Sequence, residues 1–225
     1  MLNLFGLIST FLIYMAALIL RKQKFFKKMP IIILVGITII LLMMIFKIDY
    51  NSYNSSASIL TILLGPATIA LGYPLSQNIK TLTKNKRAIY FGLLFATTIA
   101  IVLTFITGKL LHTEIDVICS LIPKSVTTPI AVEISKTIGG IPELTACVVV
   151  LTGVWGAITG HKILKLIGIK SDISIGLSIG ASSHVMGTSS CIEKNKEQQT
   201  TISTLALIIV GVLTTILAPI LLEIL

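Results

Sequence analysis

The sequence predicts an all-α, polytopic membrane protein with about seven spanning segments plus a re-entrant hairpin, arranged as an inverted repeat with interrupted helices at the midplane. Three observations predict it. Of 225 residues, 54% are hydrophobic and only 12% are charged, where a soluble domain carries roughly 25% charged residues. The apolar residues fall into runs of spanning length. The charges that remain are bunched between those runs. Arg21, Lys22, Lys24, Lys27 and Lys28 form one cluster, Lys80, Lys84, Lys86 and Arg87 a second, and Lys162, Lys165 and Lys170 a third. Lysine and arginine mark the cytoplasmic side of membrane spans. Topology therefore accounts for the net charge of +9 at pH 7, and no nucleic-acid partner is called for. The chain reads as one transmembrane domain, residues 1–225, surrounded by the lipid bilayer.

Leu4 to Leu20 is the first span. No basic stretch precedes it and a basic cluster follows, the pattern of a first helix with its N-terminus outside rather than a cleaved leader. Pro30 opens the second span, Ile31 to Phe46. Asp49 to Ser56 is polar, carries no lysine and reads as an outside loop. Ser58 to Ile79 is a third, interrupted span, broken at Gly65-Pro66-Ala67-Thr68 and again at Gly72-Tyr73-Pro74. It reads either as a kinked, closely packed helix or as a discontinuous helix at a binding site. Ala88 to Gly108 is the fourth span, and Leu110 to Asp116 an outside loop.

Val117 to Lys136 holds the densest break, with Pro123 and Pro129 around Lys124, Ser125, Thr127 and Thr128. A proline in a helix removes a donor and clashes with the preceding turn. In lipid, broken helix is tolerated only where protein or a wet cavity surrounds it. If this stretch crossed the membrane, Lys162, Lys165 and Lys170 would lie outside, against the charge rule; a re-entrant hairpin keeps them inside. Gly139-Gly140-Ile141-Pro142 is then a turn, and Glu143 to Gly160 the sixth segment. Ile173 to Cys191 is a second interrupted segment, rich in glycine and hydroxyl residues, and Thr200 to Leu222 is the last span. Segments two to four and six to eight each read straight, interrupted, straight, in opposite directions, which is the outline of an inverted repeat.

Lys124 is the one basic residue in a broken intramembrane stretch. Such a group is a functional candidate by default, although it can also snorkel to the interface. An ammonium with hydroxyls and helix N-termini around it suits a small carboxylate. Glu133 can pair with Lys124, bind a coupling proton or sodium ion, or face water. His184, in a Gly/Ser-rich break, can relay a proton or sit as a satisfied buried histidine; His112 and His161 read as ordinary. Cys119, Cys147 and Cys191 show no metal or disulfide spacing and read as small buried hydrophobes. No cofactor, metal site or enzyme motif is expected, since HExxH, a nucleophile elbow and a P-loop are all missing.

The run PKSVTTPIAVEISKTIGGIPELTA, Pro123 to Ala146, resembles the signature of the LrgB/CidB family. LLGPATIALGYPL, Leu63 to Leu75, and GLSIGASSHVMGTSS, Gly176 to Ser190, resemble its two other hallmark stretches. The resemblance covers nearly the whole chain. It implies an antiholin-like protein of the bacterial inner membrane, linked to murein hydrolase activity and autolysis and working with a small holin-like LrgA/CidA-type partner. Some bacterial members are linked to pyruvate transport, and the plant relative is the plastidial glycolate/glycerate translocator. The chain departs from the family pattern at Gly160-His161-Lys162, where a Gly-Pro-Pro-like stretch is usual. It departs again at Gly187-Thr188-Ser189-Ser190, where Gly-Thr-Ala-Arg is common, so no second cationic anchor is carried over there.

Two functions follow as expectations. One is a secondary carrier of small monocarboxylates such as pyruvate, glycolate or glycerate. Its site would comprise Lys124, Ser125, Thr127, Thr128, Gly65, Pro66, Thr68, Ser182, Ser183, His184, Gly187 and Thr188, with Glu133 and His184 as ion-coupling candidates. The other is an antiholin-like regulator acting through a holin-like partner. A scaffold without transport fits the breaks worst, because unsatisfied backbone in lipid is costly. A homo-oligomer is compatible with either.

Overall fold

The computed structural model describes residues 4–23, 26, 31–63, 66, 69–70, 73 and 86–225. Among the described residues there is no strand, and the regular elements are nine α-helices. Residues Met1–Ala67 and Thr68–Leu225 form two compact units.

The first unit holds α1 (Phe5–Leu20), α2 (Ile31–Phe46) and α3 (Tyr50–Ile62). The polar run 49–56, expected as a loop, instead caps and starts α3. The Asp49 carboxylate accepts from the Ser52 amide at 3.1 Å, an ordinary N-cap. Ser56 then reaches α1, where its hydroxyl accepts from the Gly6 amide at 2.8 Å. Tyr53 reaches it too, with its hydroxyl 2.5 Å from Thr10 Oγ1. Tyr53 and Ser56 thus serve a helix–helix contact, while the other polar residues of the run are exposed. Most of the interrupted segment expected at 58–79, and Lys24, Lys27, Lys28 and Pro30, lie outside the described residues.

The second unit holds α4 (Lys86–Leu110), α5 (Ile115–Leu121), α6 (Thr128–Thr137), α7 (Pro142–Leu166), α8 (Asp172–Glu193) and α9 (Glu197–Ile224). Three of its helices are long and apolar enough to cross a membrane: Ile89–Leu110, Pro142–Leu166 and Glu197–Ile224. The others form two hairpins between α7 on one side and α9 on the other.

The first hairpin is α5 and α6. Ser120 and Ser135 are fifteen residues apart, about 22 Å along a continuous helix. Yet both bond the same hydroxyl, which donates from Thr145 to Ser120 O at 3.0 Å and to Ser135 Oγ at 2.7 Å. The chain has therefore doubled back between them.

The second hairpin is α8 itself, and here the structure departs from the expected crossing segment at 173–191. Cys191 is buried in one cluster with Ile179, against Ile175; a straight helix would hold Ile175 and Cys191 about 24 Å apart. Asp172, at the start of α8, bonds Gln199 near the start of α9 at 2.6 Å. The cause is His184, whose φ of 43° and ψ of −139° reverse the chain between the arms 172–183 and 185–193. Balanced charge after the segment, Glu193 and Glu197 against Lys194 and Lys196, left the sequence with nothing to place its end.

Thr145 and His161 mark the bases of the two hairpins on α7, since His161 Nε2 lies 3.0 Å from Gln199 Oε1. They are sixteen residues apart, about 24 Å, so the hairpins come in from opposite ends of α7. Both hairpins contribute to the core. Ile118, Ile122, Val126 and Ala131 of the first hairpin build the main buried cluster with α4, α7 and α9, and Leu177 and Ala181 of the second pack against it.

Close packing uses small residues, as expected where lipid gives helices no hydrophobic drive to associate. A Cβ on Gly180 would fall on the Ser203 backbone of α9, with the Cα at 2.7 Å. Gly180→Ala is expected to lower stability in detergent by about 1–3 kcal/mol, the usual cost of overpacking. Gly92→Ala, whose Cβ would meet nothing within 4 Å, is expected to leave stability unchanged or raise it by up to about 1 kcal/mol. Thermal unfolding followed by circular dichroism compares the two, and equal effects would contradict the α8–α9 contact.

Candidate functional site

The tip of the first hairpin, residues 122–127, sits between two prolines. Pro123 follows the last turn of α5, and Pro129 lies in the first turn of α6 with Thr127 at the N-cap. Proline is tolerated there because the first-turn amides of a helix have no intrahelical partner. The first intrahelical donor of α6 is Ala131, whose amide bonds Thr127 O at 2.8 Å. Ile122 and Val126 anchor the tip in the core at 2% and 0% exposure, while Lys124, Ser125 and Thr128 are half-buried.

Lys124 Nζ donates to Thr104 Oγ1 at 2.7 Å. Thr104 has already given its own proton to Ala100 O, at 2.7 Å, and so offers a lone pair. One of the three ammonium donors is thereby placed. Among the described residues no carboxylate pairs with Lys124. Thr127 Oγ1 is buried and has no hydrogen-bond partner among the described residues. An N-cap threonine normally accepts from the second or third residue of its helix. Here the second is Pro129, which has no N–H, and no side-chain cap bond forms. An ammonium, an uncommitted hydroxyl and helix N-terminal amides therefore share one short turn.

The depth of this turn follows from its neighbours. Thr104 lies about 7 Å past the middle of the apolar run Ile89–Leu110. Ile130, one turn beyond the tip, closes on Gly211 at the middle of α9, where a Cβ would come to 3.0 Å of its Cδ1.

The second tip sits against the middle of α7. His184 is 4% exposed, and its Nε2 lies 3.0 Å from Val149 O. A carbonyl only accepts, so Nε2 carries the proton. A Cβ on Gly153 would overlap the imidazole, and one on Gly156 would overlap Ser183 Oγ. Thr188 Oγ1 donates to His184 O at 3.1 Å and satisfies the carbonyl freed by the reversal. Gly187 packs the two arms together, facing Ser183 and Ile179. Ser183, Gly187 and Thr188 thus shape the reversal, and Ser182 is exposed. By helical rise, Thr128 stands about 10 Å above the first hairpin's base, level with residues 151–153 of α7. The two tips are therefore at one height.

Glu133 lies apart from this layer. It is exposed on α6 and pairs with Lys136 at 2.7 Å. Of Gly65, Pro66 and Thr68, only Pro66 is among the described residues, and it is exposed. Sequence reasoning missed Thr104 and the Val149 carbonyl. Thr104 is one of four threonines in α4, with Thr97, Thr98 and Thr107, and nothing in the sequence singles it out. Among the described residues no three His, Cys, Asp or Glu side chains come together to hold a metal.

Comparison with known proteins adds to this geometry. The model of the LrgB-like family matches residues 10–224. An uncharacterized protein of Haemophilus influenzae is 35% identical over 79% of this chain and 77% of its own length. The uncharacterized protein YwbG of Bacillus subtilis is 34% identical over 97% of this chain and 98% of its own. The holin-like protein CidB of Staphylococcus epidermidis is 30% identical, covering 84% and 82%. No solved structure matches.

Thr127→Val replaces the uncommitted hydroxyl with a methyl group of similar shape. Because a buried, unsatisfied hydroxyl costs about 1–3 kcal/mol, the variant is expected to be more stable than the native protein when no solute is added. Its unfolding midpoint in denaturant reads this, and a lower midpoint would mean that the hydroxyl is satisfied inside the protein.

Proposed function

The chain belongs to the LrgB-like family, and we propose that it is a secondary carrier of small monocarboxylates of the pyruvate, glycolate and glycerate class. It would work in the bacterial inner membrane beside a small LrgA/CidA-type partner, with its N-terminus outside. The observation that carries this reading is the first hairpin's tip. Lys124 faces no carboxylate and Thr127 no partner among the described residues; the Thr104 that Lys124 bonds lies within the apolar run of α4, about 7 Å from its middle, and Ile130, next to this turn, packs at the middle of α9. A charge at such depth is expensive and needs a counter-charge. A carboxylate supplies it, taking the remaining ammonium donors, the Thr127 hydroxyl and the free first-turn amides of α6.

The arrangement of the hairpins supports the transport half of the reading. Residues 86–137 and 142–193 each consist of one long helix followed by a hairpin, and the two run in opposite directions along α7 and α4. This arrangement supports an inverted repeat, with halves cut differently from those the sequence suggested. Solute would sit between the tips, with Ser125, Thr128 and Ser182 at its edge. Alternating access would then come from moving one half against the other.

A second reading is favoured by the name of the staphylococcal relatives, holin-like protein CidB. In that reading the chain is an antiholin-like regulator of murein hydrolase activity and autolysis, acting through contact with a holin-like partner. The two readings separate in proteoliposomes. Saturable uptake of radiolabelled pyruvate or glycolate is expected, with or without the small partner. Lys124→Ala and Thr127→Val should each weaken it by about tenfold or more, the worth of a hydrogen bond to a charged group. Uptake that both variants leave intact would remove the site assignment. No uptake of any two- or three-carbon acid, together with recovery of the partner in pull-downs, would favour the regulator.

A further inference from the structure

The base of the second hairpin holds a chain of polar side chains that the proposed solute site does not use. Gln199 Nε2 donates to Asp172 Oδ1 at 2.6 Å. Gln199 Oε1 lies 3.0 Å from His161 Nε2, and Cys191 Sγ lies 3.9 Å from the same nitrogen. One imidazole on α7 therefore meets α9 and the second arm of α8 directly, and the first arm through Gln199. The carboxylate fixes the rest. It can only accept, so the amide NH2 faces Asp172 and the amide oxygen faces His161. His161 Nε2 must then carry the proton, which leaves Nδ1 as a bare lone pair. That atom is buried and has no hydrogen-bond partner among the described residues. The ring is partly exposed as a whole, but on this side it meets Gln199 and Cys191, 4% and 0% exposed. A buried polar atom left unpaired calls for a physical reason.

We propose that His161 Nδ1 is a proton-binding site that latches the second hairpin: the neutral imidazole holds its base closed, and a proton taken up at Nδ1 releases it. The step is one N–H bond formed as hydronium gives up its proton and leaves water. In the closed base the new N–H would be a cationic donor with no acceptor, a costlier state than a bare lone pair. The groups facing the ring do not offset that cost. Asp172 keeps its charge but reaches the ring only through Gln199, whose oxygen faces Nε2 and not Nδ1, and Cys191 offers a neutral thiol. Lys194 and Lys196, between α8 and α9, act on the ring with like charge, and Lys162 and Lys165 lie on its own helix. Opening the base lets Nδ1–H reach water. The arms that part are those whose tip presses His184 against Val149, so the proton is read out at mid-depth. The closed form is full above the ordinary imidazole range, about pH 6.5, and is lost as pH falls below it. This inference rests on hairpin geometry and not on which solute the protein handles.

The test uses the full chain in phosphatidylglycerol-containing nanodiscs. Reaction of each cysteine with 2,2′-dithiodipyridine is followed by peptide mass spectrometry from about pH 7.5 to about pH 5, across the imidazole range. Each rate is divided by that of the urea-unfolded chain at the same pH. Cys191 is expected to lose protection by about tenfold or more on acidification, a shift typical of a biased two-state element. Cys119, buried in the first hairpin, should stay protected. In His161→Gln, which keeps a donor for Gln199 and takes up no proton, Cys191 protection should be flat with pH. Protection of native Cys191 that does not change with pH, or that falls equally in the variant, overturns the latch. Nitrogen-15 spectra of the native protein give a second reading that needs no variant to fold. His161 Nδ1 should show the shift of an unprotonated ring nitrogen at the upper pH, and a protonated Nδ1 there overturns the proposal.

Discussion

The second unit is governed by one constraint: a chain that turns round inside apolar surroundings must satisfy its own backbone. Water cannot take up the groups freed at a reversal there, so protein must. At the second tip the His184 carbonyl is taken by Thr188, and the imidazole is taken by the Val149 carbonyl. At the first, tight turns bond Lys124 N to Leu121 O and Val126 N to Pro123 O. At the first base, Ser120 and Thr145 serve the returning chain, with the Ile141 amide donating to Ser120 Oγ at 2.7 Å. Hydroxyl residues in an apolar sequence are thus placed where helical bonding stops.

The same constraint explains the glycines. A hairpin wedged between two long helices adds a layer without adding width, so backbones must approach closely. Gly108 faces Ile118, Gly153 faces His184, Gly156 faces Ser183 and Gly176 faces Ile202, each with no room for a methyl group. Gly140 lies against the Cys119–Ser120 backbone and closes the first hairpin on itself. His184 adds a different demand, since its backbone occupies a region usually left to glycine, at a cost of about 1–3 kcal/mol. Glycine there would relieve the strain but would lose the side chain that ties the tip to α7.

What the sequence disclosed and what it hid separate along this line. The break between Pro123 and Pro129 is written in local chemistry, because proline states its effect on the helix that contains it. So is the break in the Gly/Ser-rich stretch around His184. The direction the chain takes after a break is not local. For the first hairpin it depends on Thr145, ten residues past Ser135 and twenty-five past Ser120. For the second it depends on Gln199 and His161, distant in sequence from Asp172 and Cys191. Charge could stand in for that information only where it was unbalanced. It was unbalanced at Lys162, Lys165 and Lys170, and balanced at 193–197. Thr104 was silent for the same reason: a threonine in an apolar helix states nothing about an ammonium twenty residues on. In the first unit, Tyr53 and Ser56 read as part of a solvent-facing run because their partners, Thr10 and Gly6, lie 43 and 50 residues earlier, with α2 between.

Among the described residues two buried side-chain polar atoms escape the rule that every such group is paired: Thr127 Oγ1 at the first tip and His161 Nδ1 at the second base. Each exception costs about 1–3 kcal/mol, against a total stability of only about 5–15 kcal/mol for a typical domain. Neither is forced by the fold, since valine fits the shape of threonine and a glutamine could keep the donor to Gln199 without a bare ring nitrogen. In a unit that satisfies its reversals so thoroughly, the exceptions mark places where something other than the resting fold is provided for. At Thr127 the neighbouring charge is the Lys124 ammonium, and on the proposed reading the pair receives an anion. At His161 the charges acting on the ring are those of Lys194 and Lys196, which disfavour a cation. If both proposals hold, the opposite electrostatics of the two orphans would let one hairpin hold a solute while the other responds to acid.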